Sequence, residues 1–293
     1  QSPLVAGGVD PLGQPRDHCD AAAGQLFADP SGGGEAVRRG GAGPHDRDGR
    51  VWRTNVDGTR NVVDACIACG VRRLVHFSSI HAFSAYPLNE VVTEARALAD
   101  GRDLPVYDRS KVAGELEALK GIGRGVDVVI VNPTAVIGPN DYKPSAMGRV
   151  LLDLKARRLP AVVRGGFNWV DARDVGLGAE AASRLGRSGE RYLLAGHYKT
   201  LLDLAQIASE TTGVTPPRFA TPVWMAKLAL PFAALSSAMS GKPPKFTSAS
   251  LRAVTHHQQV SHEKAARELD YAPRPLDETI ADTYRWFEEH GCE

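Results

Sequence analysis

The chain has 293 residues, with 35 Lys and Arg against 34 Asp and Glu, and a formal net charge of +1. So even a balance gives no electrostatic footprint for nucleic acid or for an acidic membrane face. The length can bury a substantial core in one large or two small domains.

Residues 1–50 hold eleven glycines and five prolines but only seven residues from Val, Leu, Ile, Phe, Met, Trp and Tyr. Runs such as Ser31-Gly32-Gly33-Gly34 lack the apolar periodicity of a packed element, so composition reads this stretch as irregular. From Val51 the pattern becomes that of a globular protein. Asn55 to Cys69 reads as a helix with Val56, Val62, Val63 and Ile67 on its apolar side and Gly70 as its stop. Asn55 is placed to cap that helix. Cys66 and Cys69 have CxxC spacing without a second pair, which late in a helix reads as packing. Four cysteines without a framework, Cys19 and Cys292 being the others, suit a reducing compartment. No charged-then-apolar leader opens the sequence, so a cytoplasmic location is expected.

Arg73-Leu74-Val75-His76-Phe77 reads as a buried strand running out into Ser78-Ser79. Residues 84–106, with Pro87, Asn89, Gly101 and Pro105 among charges, read as a loop that either faces substrate or is merely exposed. Next comes Tyr107-Asp108-Arg109-Ser110-Lys111. Tyr107 and Lys111, four residues apart, share one helix face about 6 Å apart along the axis. In water a phenol titrates near ~10, and a neighbouring ammonium favours the phenolate. Such a pair can move a proton to or from a reacting oxygen that Ser79 holds by a hydrogen bond. Taken alone, the pair also fits an ordinary amphipathic helix.

Val126 to Val131 is β-branched throughout except for Asp127, as in a strand buried on both faces, and it exits at Asn132-Pro133. Ser145 to Arg158 reads as an amphipathic helix. Phe167 to Asp171 reads as a strand, with Asp174 as a structural acid near the following helix terminus. Glu190 to Gly196 reads as another strand, and Leu201 to Thr212 as a helix stopped by Gly213. Val223 to Met239 is the most apolar run. Interrupted by Lys227 and Pro231, it falls short of a membrane span and reads as a lobe helix, with membrane association as the alternative. His256, His257 and His262 lack convergent carboxylates or thiolates and read as surface histidines rather than metal ligands. Two short helices, near 262–270 and 276–289, close the chain.

Four ordered motifs resemble the extended short-chain dehydrogenase/reductase superfamily, the NAD-dependent epimerase/dehydratases: Asn55-Val56-Asp57-Gly58-Thr59, Val75 to Ser79, Tyr107 to Lys111, and Asn132 to Pro139. The resemblance spans residues 51 to about 290 and is strongest to the dihydroflavonol-4-reductase-like branch, which includes hopanoid-associated sugar epimerase-like proteins. It implies an α/β fold: a Rossmann-like doubly wound parallel sheet, its front half incomplete, with a smaller, mostly helical C-terminal lobe. The expected division is an atypical region at 1–50, the Rossmann-like core at 51–200 and the substrate-side lobe at 201–293.

The resemblance implies Ser79, Tyr107 and Lys111 as catalytic residues, with Asn55, Tyr107, Lys111 and Pro133 beside an NAD or NADP cofactor. It also implies a small-molecule substrate such as a nucleotide sugar, flavonoid-like ketone or aldehyde, and a homodimer with the first helix near its interface. Leu4 to Gly13 echoes the family's first strand and glycine turn, but Asp10 replaces the middle glycine and Pro11 follows it. A carboxylate there would oppose a pyrophosphate. Cofactor binding is therefore expected to be impaired, and a catalytically impaired, weakly binding remnant stands as the alternative to an active oxidoreductase or epimerase.

Overall fold

A computed structural model describes residues 49–228, 230 and 248–292. The readings of residues 1–48, the Leu4–Gly13 turn among them, and of the end of the 223–239 run lie outside the described residues.

The first helix, α1, starts before Asn55. It comprises Arg50–Trp52, a π-helical turn at Arg53–Asp57, and Gly58–Ala68. Asn55 therefore sits inside a helix and does not cap one, and the wider π turn brings its main chain against a neighbouring helix. Strand β1 (Arg73–Phe77) follows, then helix α2 (Val106–Leu119) and strand β2 (Asp127–Pro133). Next come β3 (Ala135–Ile137), α3 (Ala146–Lys155), β4 (Val162–Val163), β5 (Gly166–Asp171) and α4 (Ala172–Leu185). The remainder is β6 (Arg191–Leu194), β7 (His197–Thr200), α5 (Leu201–Thr212), β8 (Ala220–Thr221), a helical segment at 223–228, α6 (Ser248–Ala253), α7 (Glu263–Leu269) and α8 (Leu276–Glu289).

The central sheet runs β1-β2-β6, all parallel, with Phe77 opposite Val131 and Pro133 opposite Leu194. Alternation along β2 explains its near-continuous apolar sequence. Val128 and Ile130 pack with Ala118, Cys66 and Ile67 under α1 and α2. Val129 and Val131 pack with Val175, Ala179 and Leu269 under α4 and α7 on the opposite face. Side chains alternate along a strand, so one β-branched run feeds both layers and the sheet is doubly wound.

A second sheet, β3-β5-β7, pairs β5 parallel with β3 and antiparallel with β7. Over it, α3, α5 and α8 enclose Leu151, Leu204, Ile280 and Phe287 in a helical lobe. Two buried carboxylates join lobe to sheet. Asp171 caps α4 by accepting from the Arg173 backbone, while Asp174 accepts from the Arg274 backbone and guanidinium at 2.8 and 2.9 Å. The expected stop of α5 is present: Gly213 has φ 70°, a left-handed conformation that costs a glycine nothing. Among the described residues no helix is long and apolar enough to cross a membrane.

Candidate active site

Strand β1 ends where Ser78 and Ser79 leave the sheet, and a short 3-10 turn, Ile80–Ala82, follows. Ser79 caps that turn, its Oγ accepting from the His81 backbone N–H at 3.3 Å. Helix α2 runs past the same sheet end, started by Pro105 and presenting Tyr107 and Lys111 one turn apart. The Lys111 ammonium lies 5.7 Å from the centroid of the Tyr107 ring. The structure sets Tyr107 beside both Ser79 and Lys111.

The electrostatics differ from the simple expectation. Burial pushes the Tyr107 phenol above its ordinary value, a side-chain hydrogen bond with Ser79 pulls it back, and Asp108 raises it. Although 36 % of the residue remains exposed, desolvation of the phenolate outweighs the other effects. Burial likewise pulls the Lys111 ammonium below its usual range, and Glu115, one turn further along α2, opposes this. On balance the phenol is therefore raised and not lowered, because burial outweighs the groups that favour the phenolate. The ammonium is itself desolvated, and the carboxylate that faces it is Glu115.

Glu115 belongs to a layer beneath the site that sequence reading missed. It is fully buried, and it accepts from Asn132 Nδ2 at 2.7 Å and from Arg191 Nε at 2.6 Å. Asn132 Nδ2 also donates to the Ser79 carbonyl at 3.0 Å. One buried network therefore holds the Ser79 main chain, the Lys111 helix and strands β2 and β6 in register. Such a network is favourable only when its charges are paired and hydrogen-bonded. The available signal was a glutamate at i+4 from Lys111 on a helix packed against the sheet.

Asn55 takes a part different from a cap. Its Nδ2 donates to Ser110 Oγ at 2.9 Å, and Ser110 Oγ donates to the Tyr107 carbonyl at 2.7 Å. Asn55 thus ties α1 to the main chain of Tyr107. It also borders a cavity of about 400 Å³ formed with Thr54, His76, Phe77 and Lys111. Ser79, Tyr107 and Pro133 do not line that cavity; Pro133 is buried at the end of β2. In the described residues β2 is the only strand paired with β1, and Phe77 at the end of β1 is 51 % exposed. The cavity lies against β1, with Asn55 and Lys111 among its lining residues. Ser78 Oγ, buried at the strand end, has no hydrogen-bond partner among the described residues. Polar donors beside an apolar strand suit the ribose and nicotinamide of a dinucleotide, and on this side the residues fit such a group.

A second cluster adjoins Tyr107. The His81 ring stands edge-on to it, centroids 5.5 Å apart, and His81 Nδ1 lies 3.2 Å from Asp108 Oδ1. His257 stands edge-on to His81 at 5.7 Å and donates from Nε2 to the Phe83 carbonyl at 3.0 Å. His256 and His257 are therefore partly buried beside the site and not free surface histidines, because the 84–106 segment folds over them. That segment is itself anchored, by the Phe83–Leu98 and Val92–Val260 bridges and by Glu94 accepting from the Leu193 N–H at 2.9 Å. Cys66 and Cys69 are free thiols, with Cys66 packed in the core. Among the described residues no group of three or more His, Cys, Asp or Glu is arranged to hold a metal.

A doubly wound parallel sheet with a serine at a strand end and a tyrosine and lysine on the next helix defines a Rossmann-fold protein of the extended short-chain dehydrogenase/reductase type. The profile of the NAD dependent epimerase/dehydratase family matches residues 36–195, and the chain belongs to that family. It is 34% identical over 256 residues to sterol demethylase protein B of Methylococcus capsulatus, covering 84% of this chain and 76% of that protein. It is 31% identical over 248 residues to a putative dihydroflavonol 4-reductase of Synechocystis, covering 82% and 71%. Among solved structures, a nucleoside-diphosphate-sugar epimerase from Pseudomonas aeruginosa superposes with a TM-score of 0.68 at 26% identity, over 82% of this chain and 74% of that one.

Proposed function

We propose that the protein is an NAD(P)-dependent oxidoreductase or epimerase acting at a carbonyl or hydroxyl carbon of a small molecule. The observation that carries this reading is the convergence of the Ser79 and Tyr107 hydroxyls with the Lys111 ammonium 5.7 Å from the Tyr107 ring. When bound, the nicotinamide cofactor accepts or delivers the hydride. The chain's own residues handle the proton and the oxygen. Ser79 Oγ holds the substrate oxygen, and Tyr107 Oη gives it a proton during reduction or takes one during oxidation. Lys111 Nζ stabilises the phenolate that results and would hold a ribose hydroxyl of the cofactor, while Asn55 holds the helix pair in position. A raised phenol pKa keeps Tyr107 protonated at neutral pH, the state in which it gives a proton to a substrate oxygen, although as a weaker acid than a free phenol. Relatives named for sterol and dihydroflavonol chemistry favour a hydroxyl or ketone on a fused-ring or aromatic skeleton.

The Leu4–Gly13 segment, with Asp10 in place of the middle glycine and Pro11 after it, favours a second reading, in which the same site binds the cofactor weakly and turns over little. Titration of the full chain with NADH and NADPH, followed by nicotinamide fluorescence, separates the two. Micromolar binding, with turnover falling roughly 10²–10⁴-fold in Tyr107→Phe at unchanged affinity, supports the enzyme. Absence of binding selects the impaired form, and full activity in Tyr107→Phe removes the tyrosine from the mechanism.

A further inference from the structure

Residues 211–262 contain no Asp or Glu, where the chain's average density would put about six, but they contain Arg218, Lys227, Lys242, Lys245 and Arg252. The net charge of +1 conceals this stretch because acids elsewhere balance it. Within it, the helical segment at 223–228 is apolar on both sides. Its inner residues Val223 and Ala226 pack with Leu230 on the cluster of Val163, Leu251 and Val254. Its outer residues Trp224, Met225 and Leu228 are 63%, 46% and 67% exposed, and Phe219 just before them is 72% exposed. Arg218 and Lys227 are exposed among them.

A helical segment with large apolar side chains on its outer face as well as its inner one calls for an apolar surrounding on both sides. We propose that the outer face of residues 218–228 seats the protein on an anionic lipid surface. Phe219, Trp224, Met225 and Leu228 enter the boundary between headgroups and acyl chains, while Arg218 and Lys227 meet the lipid phosphates. The charge pattern selects this occupant. Protein partners ordinarily meet a polar rim, whereas aromatic and aliphatic side chains interleaved with Arg218 and Lys227, in a stretch of sequence without acids, complement an anionic interface. Residues 218–228 are too few to span a bilayer, so their attachment lies in the interface. The proposal is independent of the reaction assigned to Tyr107.

The test is co-sedimentation of the full chain with vesicles of phosphatidylcholine alone and of phosphatidylcholine mixed with phosphatidylglycerol. Binding to the anionic vesicles, weakened by salt, is the expected result. The double variant Trp224→Ser/Leu228→Ser removes exposed side chains and should lower partitioning at least about tenfold. Should that variant misfold, Lys227→Gln alone leaves the apolar face intact and should lower partitioning about fivefold. Failure to sediment with either vesicle overturns the proposal, as does undiminished binding by correctly folded variants. A concentration-dependent dimer that Trp224→Ser/Leu228→Ser abolishes, without vesicle binding by the parent chain, gives the patch to a second copy and also overturns it.

Discussion

Tyr107 is charged only at the moment of catalysis, so its fixed-charge neighbours govern when it works. Asp108 stands next to it in sequence, pairs with His81 and raises the phenol pKa, whereas Lys111 presents an ammonium to the ring. Removing each charge should move the pH profile in opposite directions. Asp108→Asn lowers the phenol pKa and shifts the alkaline limb of kcat/KM downward. Lys111→Met keeps the aliphatic stem, removes the cation beside the ring that steadies the phenolate, and shifts that limb upward. Profiles of both variants compared with the parent decide the matter. Shifts of the same sign would show that the pair acts through packing and not through charge.

At the scale of elements, the site depends on how closely α1 approaches α2. A Cβ added at Gly114 would lie 2.6 Å from the Asn55 carbonyl oxygen, a main-chain atom that cannot swing aside. In an exposed helix, Gly to Ala is stabilising by roughly 0.5–1 kcal/mol, because alanine loses less entropy on folding. Here overpacking reverses the sign. Gly114→Ala should cost about 1–3 kcal/mol and loosen the Asn55–Ser110–Tyr107 connection, seen as a lower urea midpoint. A raised midpoint would mean that the helices stand further apart than described. Asn55 lies within the π turn at Arg53–Asp57, so that turn belongs to the same contact.

Across the whole molecule, two histidines make the fold acid-sensitive. Burial lowers both His76, on β1, and His257, beside the 84–106 segment, from 6.5 to about 4. Lys111 adds to the lowering at His76 and Glu115 opposes it, while His81 adds to it at His257. Between those values the unfolded chain binds protons that the folded chain refuses, so stability falls as pH drops from 6.5 toward 4. Each histidine contributes on the order of 1–3 kcal/mol to that loss. Thermal melts across this range should show the decline. His257→Asn, which tolerates the positive φ of 49° at this position, should flatten it. A slope unchanged in His257→Asn would assign the decline to other groups.

Much of this architecture could be read from local pattern. The β-branched run from Val126 to Val131, the glycine stop at Gly213 and the Tyr107–Lys111 spacing are statements about one strand, one cap and one helix turn. Each follows from short-range sterics or from which face must leave water. Long-range partners leave no such periodic trace. Nothing near Glu115 announces that Arg191 and Asn132 will meet it, and nothing near Asn55 announces Ser110. Burial then reverses a charge argument made in sequence. Lys111 was expected to favour the phenolate, but desolvation sets the direction at Tyr107 and also disfavours the ammonium. Local sequence determined which elements form and which side chains share a face. The tertiary structure alone decided the depth of burial and the pairing of charges, because both depend on atoms that distant segments bring into contact.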